Sequence, residues 1–283
     1  MIQTTIRQLA SRYDALLFDA YGVLIRSDGP VEGAVELIRK LTADGHALYV
    51  LTNDASRSIA AAGARYRELG LPIQDDQVIT SGSLLTRYFA ENDLVGARTI
   101  CLGTPDSHTY ALEAGGELVG FDEEPPDDLG VLVVADLPSE DLRERSEFAL
   151  SALMRTIDAG GSPTLVLPNP DLVFPRTATT YGMTGGALAA TYEAILAERY
   201  HNRAFSFERL GKPHPYIYEQ GAVLAGVPRD AMVMIGDQLQ TDVLGAIDFG
   251  IDAALVATGL TSVANVDQDW PVKPTYQLGS LEG

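Results

Sequence analysis

Three aspartates and one lysine, Asp19, Asp237, Asp242 and Lys212, have the types and spacing that could do chemistry. Asp19 closes the apolar run Ala15-Leu16-Leu17-Phe18 and is followed by a turn at Gly22. Such a run reads as a buried parallel strand whose C-terminal tip presents the carboxylate, and in open α/β sheets that tip is where ligands bind. A carboxylate placed there could attack an electrophile or act as a hard oxygen ligand for Mg²⁺. Asp237 follows Gly236 at the end of a second apolar run, Met232-Val233-Met234-Ile235, and Asp242 stands five residues further on, at the expected start of a helix. If the two strands are neighbours, three carboxylates converge on one small volume. Like charges so close require a cation, and an oxygen-only donor set favours Mg²⁺ over zinc.

Lys212 supplies a positive charge to the same set. It lies in Leu210-Gly211-Lys212-Pro213-His214-Pro215, where prolines restrict the backbone and a glycine allows close approach. Lysine is scarce in this chain, at positions 40, 212 and 273 only, while arginine carries the remaining basic charge. A rigidly framed ammonium at 212 could hold both Asp19 and a substrate phosphate. His214 reads as the residue that begins the next helix.

The elements that must position these groups alternate between strand-like and helix-like runs, the pattern of a parallel sheet covered by helices. After the Asp19 strand come a helix over 31–43, a strand over 46–51, the polar tip Thr52-Asn53-Asp54-Ala55-Ser56, a helix over 56–70, a strand near 78–80 and a helix to about 91. The rhythm changes between 92 and 98. The next stretch, to about 206, reads as strands at 99–102, 131–135 and 163–167 with helices at 139–159 and 186–199, an inserted domain. The first rhythm then resumes, with a helix over 214–226, the strand 232–235, the Asp237–Asp242 loop, a helix over 243–250 and a strand over 252–256.

Composition narrows the classes of partner. The 283 residues carry a net charge of −19, which repels nucleic acid and anionic membranes, so neither is expected as a partner. No stretch reaches the length of a membrane span, and residues 1–12 lack the apolar core of a signal peptide, so the expected location is the cytoplasm. The single cysteine, Cys101, sits in an apolar run and reads as a buried strand residue.

Four spaced segments, Asp19-Ala20-Tyr21-Gly22-Val23, Leu51-Thr52-Asn53, Gly211-Lys212-Pro213 and Gly236-Asp237 through Thr241-Asp242, resemble the four motifs of the haloacid dehalogenase (HAD) superfamily. The Leu-Thr-Asn and Gly-Lys-Pro forms, the long insert between them, and Asn169-Pro170-Asp171 followed by Gly185-Gly186-Ala187 resemble its class IIA branch, which includes nitrophenyl, phosphoglycolate, nucleotide and sugar phosphatases. The resemblance runs from about 14 to 260. It implies an α/β fold with a Rossmann-like core of parallel sheet, residues 1–93 and 207–283, and an inserted α/β C2-type cap, residues 94–206.

The same resemblance implies a Mg²⁺-dependent phosphatase for a small phosphomonoester. Asp19 would attack phosphorus to give an aspartyl-phosphate, Thr52 and the amide of Asn53 would hold the phosphoryl oxygens, and Lys212 would neutralise developing charge. Mg²⁺ would be held by Asp19, the backbone carbonyl of Tyr21 and Asp237, with Asp242 in support. Relatives with such caps often pair through them, which implies a homodimer. The segment Arg176 to Thr184 is where the resemblance implies that the cap reaches toward substrate, either with Arg176 and Tyr181 touching it or as an ordered loop between cap and core, and neither residue is counted in the site.

One departure bears on turnover. Phosphatases of this superfamily carry a second aspartate two residues after the nucleophile, as the general acid and base, and this chain has Tyr21 there. A phenol of pKa about 10 is a poor base at neutral pH, and losing acid–base help costs about 10² to 10⁴ in rate, least for esters with good leaving groups. Asp-Ala-Tyr-Gly also resembles the first motif of 2-haloacid dehalogenases, which release halide without a metal. Those enzymes would have a helical cap after the first motif, and the span from Gly22 to Leu51 leaves no room for one. A third reading, a HAD-fold protein that binds phosphate or metal without turnover, stays open at this point.

Overall fold

The computed structural model describes residues 1–137, 141–177, 179–257 and 272–281. The chain divides into two compact units, one of residues 1–52, 59–79 and 212–283 and the other of residues 53–58 and 80–211. The boundary expected at 93/94 falls one helix later than the division at 79/80, because the helix Leu84–Glu91 is counted with the insert.

The first unit is built on a seven-stranded sheet in the order Ile2–Thr4, Tyr276–Leu278, Asp252–Val256, Met232–Gly236, Ala15–Asp19, Ala47–Thr52, Val78–Thr80. The strands from Ile2–Thr4 through Ala47–Thr52 all pair in parallel. The strand Ala15–Asp19 is buried along its whole length, as a run covered on both faces must be. Its neighbours differ in chain direction of growth: from Ala15–Asp19 the chain winds outward through Ala47–Thr52, and after the insert it returns on the other side through Met232–Gly236. That reversal is a topological switch point, the place where such sheets open a crevice beyond their strand ends. Register sets the level of the site: Phe18 pairs with Ile235 and Asp19 with Leu51, so Asp19, Thr52 and Asp237 all come out at the same rim.

The core of this unit gathers Leu16, Phe18, Ile38, Leu48, Val50, Tyr66, Val233 and Ile235 on one side of the sheet. The helix Ala34–Ala43 reaches it through Ala34, Ile38 and Leu41, the 3- and 4-residue spacing of one helical face. A helix missing from the sequence reading, Ile6–Arg12, buries Ile6, Leu9 and Ala10. Its start is fixed by a reciprocal capping box, with Gln8 N–H donating to Thr5 Oγ1 and Thr5 N–H to Gln8 Oε1.

The second unit has its own five-stranded sheet, in the order Glu208–Arg209, Thr164–Leu167, Val131–Val134, Arg98–Leu102, Glu117–Leu118, with every pair parallel. Leu132, Val134, Leu153, Leu165, Tyr192 and Leu196 pack into its core with the helices Leu142–Asp158 and Gly185–Arg199. Cys101 is buried on its strand, and burial pushes the thiol pKa up to about 12. The helix expected from Ser139 begins, among the described residues, at Leu142, and Ser139 lies outside them. Residues 173–175 pair with 181–183 as an antiparallel hairpin, and Ala178 lies outside the described residues.

Candidate active site

Asp19, Asp237 and Asp242 each offer a carboxylate oxygen within 4.8 Å of the others, and all three are buried. Lys212 is buried with them, its Nζ donating to Asp19 Oδ1 at 2.6 Å and to Asp242 Oδ1 at 2.7 Å. Asp19 and Asp237 leave the ends of adjacent strands. Asp242 arrives differently from the expected helix start: it lies in a π-type turn, Leu239–Val243, immediately before the helix Leu244–Phe249. That wide turn lets its second oxygen, Oδ2, accept from the backbone N–H groups of Asp237 and Gln238 at 3.1 Å each. Asp242 thereby holds the Asp237 loop as well as the lysine.

Two glycines make the approach possible. Gly22 has φ +94°, and a Cβ there would collide with the Asp237 carboxylate, 2.8 Å from its carbon. Gly236 lies directly against the Asp242 carboxylate, leaving no room for a side chain. The turn that carries Gly22 is closed by Leu24 and Ile25 N–H donating to Ala20 O, and by Gly22 N–H donating to Ile25 O. Tyr21, in the same turn, is half-buried with its ring packed against the apolar core.

The electrostatics follow from burial. For Lys212, burial alone would lower the pKa, and the carboxylates of Asp19 and Asp242 outweigh it and hold the ammonium above its ordinary value. For Asp19, burial is the largest effect and raises the pKa, Lys212 opposes it, and Asp242 and Asp237 raise it further. Three carboxylates and one ammonium leave a buried excess of negative charge, the situation a divalent cation relieves. The donors are all oxygen, which suits a hard cation, so these residues fit Mg²⁺.

The remaining expected site residues divide between the units. Thr52 ends the strand next to Asp19 and is buried. Asn53, also buried, is counted with the second unit, where its Nδ2 donates to Asp171 Oδ1 at 3.1 Å. Asp171 belongs to the Asn169-Pro170-Asp171 segment, and its N–H donates to Asn169 Oδ1 at 3.0 Å. The sequence reading gave no role to Ser81, whose hydroxyl donates to Asn53 O at 2.7 Å; a lone serine after a strand carries no signal of it.

A haloacid dehalogenase-like hydrolase family model matches residues 16–117, and a HAD-hydrolase-like model matches residues 209–283. The chain belongs to the haloacid dehalogenase-like hydrolases. Within them it falls in the class IIA branch, whose motif forms it carries. An acid sugar phosphatase of Staphylococcus aureus is 26% identical over 270 residues, covering 95% of this chain and 96% of the relative. A crystal structure from Cytophaga hutchinsonii, described as a possible sugar phosphatase of the HAD superfamily, has 27% identity and a TM-score of 0.85, covering 100% of this chain and 99% of that one. A double mutant of a thermostable NPPase from Geobacillus stearothermophilus has 25% identity and a TM-score of 0.79, covering 96% and 97%.

Proposed function

We propose that this chain hydrolyses small phosphomonoesters through an aspartyl-phosphate on Asp19. The observation that carries the reading is the buried cluster in which Lys212 joins Asp19 to Asp242 beside Asp237. A carboxylate oxygen of Asp19 bonds to phosphorus as the bond to the leaving oxygen breaks. Water then attacks the same phosphorus, releasing inorganic phosphate and restoring Asp19. Thr52 Oγ1 and the backbone N–H of Asn53 hold the phosphoryl oxygens. Lys212 stays protonated throughout, because the two carboxylates hold its proton, so it works as a fixed charge and not as a base. Asp19, the Tyr21 carbonyl and Asp237, with Asp242 in support, would hold Mg²⁺, which would supply further neutralisation of phosphoryl charge. Tyr21 leaves the proton-transfer role poorly filled, which favours esters whose leaving oxygen needs no proton.

The names of the relatives suggest the first substrates to try, sugar phosphates and p-nitrophenyl phosphate. Phosphate release that requires Mg²⁺, stops with EDTA and is lost in Asp19→Asn supports the reading; release that survives Asp19→Asn sinks it. The second unit serves as the C2-type cap, residues 94–206 by the sequence reading, and the protein works in the cytoplasm as a homodimer through that cap. Among the described residues no helix is long and apolar enough to cross a membrane. Light scattering on the purified protein tests the dimer.

Tyr21 gives one reason to test a second reading, a 2-haloacid dehalogenase. Against it, the chain between Gly22 and Leu51 forms only the short hairpin of residues 25–26 and 29–30, the helix Ala34–Ala43 and most of the next strand. Chloride release from 2-chloropropionate without Mg²⁺ would favour that alternative.

A further inference from the structure

The segment of residues 53–58, which follows the last residue of the strand Ala47–Thr52, is counted with the second unit, which has a sheet of its own. In that sheet the strands Arg98–Leu102 and Val131–Val134 lie side by side, while the chain winds outward from them in opposite directions, to Glu117–Leu118 on one side and to Thr164–Leu167 on the other. The C-terminal ends of those two strands are the place where an open parallel sheet binds its ligand. Here the helix Pro105–Glu113, which follows Arg98–Leu102, is fastened to the segment itself. Ser107 Oγ donates to Ala55 O at 2.8 Å, Thr104 Oγ1 to Ser56 O at 2.7 Å, and Ser58 N–H to Asp106 Oδ2 at 2.7 Å. Ser107 is wholly buried, so its bond to the segment is shielded from water.

Asn53, the first residue of the segment, is gripped from three further directions. Its side-chain amide donates to Asp171, its backbone oxygen accepts from the buried Ser81 hydroxyl, and Gly211 leaves room for its Oδ1, which a Cβ at 211 would approach to 2.6 Å. Holding the side chain and the carbonyl carbon fixes two arms of the tetrahedral Asn53 Cα and so the place of its nitrogen, and the strand that ends at Thr52 holds the other side of the planar Thr52–Asn53 peptide, so the direction of the Asn53 N–H is set from both ends.

We propose that Asp171 and Ser81 are positioning residues that aim the backbone N–H of Asn53 at the phosphoryl group. This inference deepens the phosphatase reading and rests on it for the role of the Asn53 N–H. Neither residue is assigned contact with substrate.

The test measures inorganic phosphate affinity by calorimetry in Mg²⁺, alongside hydrolysis of p-nitrophenyl phosphate and phenyl phosphate, in wild type, Ser81→Ala, Asp171→Ala and Asp171→Asn. Melting curves establish that each variant is folded, and Ser81→Ala, which removes one hydroxyl, serves if Asp171→Ala does not fold. The expected result is phosphate binding about tenfold weaker or more in Ser81→Ala and Asp171→Ala, the scale of one charge-assisted hydrogen bond misdirected. Asp171→Asn keeps an acceptor oxygen and binds within about threefold of wild type. Where turnover is present, kcat/KM falls by one common factor for both esters, because the phosphoryl group is their shared part. Unchanged phosphate affinity in folded Ser81→Ala and Asp171→Ala overturns the inference, as does wild type that binds no phosphate. Wild type that binds phosphate without hydrolysing either ester instead overturns the phosphatase reading, while the affinity series still decides this one.

Discussion

Replacing Lys212 with methionine removes the positive side chain that bridges two of the three buried carboxylates while keeping nearly the same volume. Each of its contacts, 2.6 Å to Asp19 and 2.7 Å to Asp242, is worth about 6 kcal/mol of Coulomb energy at an effective dielectric of about 20. Most of that gross attraction is offset by the cost of desolvating the ammonium. What the variant loses is the compensation of carboxylates that stay buried, and breaking such a set costs about 3 to 5 kcal/mol. At about 2 to 4 °C per kcal/mol, Lys212→Met should melt roughly 6 to 20 °C below wild type in EDTA.

Adding Mg²⁺ should close part of that gap, because a cation binds a cluster that has gained a net negative charge more tightly, and the stabilisation grows with the ratio of its concentration to Kd. Turnover should not return with stability. A fixed charge aimed at the transition state accounts for about 10² to 10³ in rate, so hydrolysis stays depressed even in saturating Mg²⁺. The assay is a melt by circular dichroism with and without Mg²⁺, paired with phosphate release. A variant that melts at or above wild type in EDTA would refute the reasoning, since it would mean that the carboxylates are not held charged by this lysine.

Three other outcomes can be checked on the same protein. Gly22→Ala should bind Mg²⁺ at least tenfold more weakly by calorimetry and lose about 1 to 2 kcal/mol of stability, from a left-handed backbone and a Cβ driven into Asp237. Asp136 has its pKa pushed up to about 6 from 3.8, chiefly by burial and also by Asp54, against the Leu137 N–H and Arg57. Its folded pKa is raised, so the stability it contributes is present below 3.8 and lost as pH rises through about 6; Asp136→Asn should gain up to about 3 kcal/mol at pH 8 and nothing at pH 4 in urea melts. Iodoacetamide should leave Cys101 unmodified in the native protein and label it only in denaturant, because the thiol is buried and its pKa lies near 12.

How much of this was legible in the sequence depends on what kind of signal each residue leaves. Asp19 and Asp237 stand at the ends of apolar runs, and strand periodicity alone puts both at the rim; the sheet order then makes them neighbours. Lys212 was found through its scarcity and its prolines. Asp242 was expected at a helix start, but the π-type turn that swings its carboxylate back onto two backbone N–H groups leaves no trace in side-chain pattern. The helix Ile6–Arg12 did leave one, since Thr5 and Gln8 have the spacing of a capping box, and its shortness hid it. The contacts of Ser81 and Asp171 with Asn53 were beyond reach, because they join residues 28 and 118 positions apart through tertiary packing.

On the proposed phosphatase reading, Tyr21 would separate two parts of phosphoryl transfer, nucleophilic attack and protonation of the leaving group. Tyr21 itself packs against the apolar core, while Asp19, Lys212, Asp237 and Asp242 are buried together. That arrangement is costly: an uncharged set of the same volume would be neutral or more stable. It is therefore best explained by binding a cation and a phosphoryl group, which a catalyst and a binder without turnover would share. Tyr21→Asp distinguishes them. In a catalyst limited only by protonation of the leaving group, the variant should raise kcat/KM by about tenfold or more for alkyl phosphates and little for p-nitrophenyl phosphate, whose leaving oxygen needs no proton. The slope of log kcat/KM against leaving-group pKa, steep and negative in wild type, should flatten. If the variant folds and binds Mg²⁺ while that slope stays as it was, the missing proton is not what limits this protein.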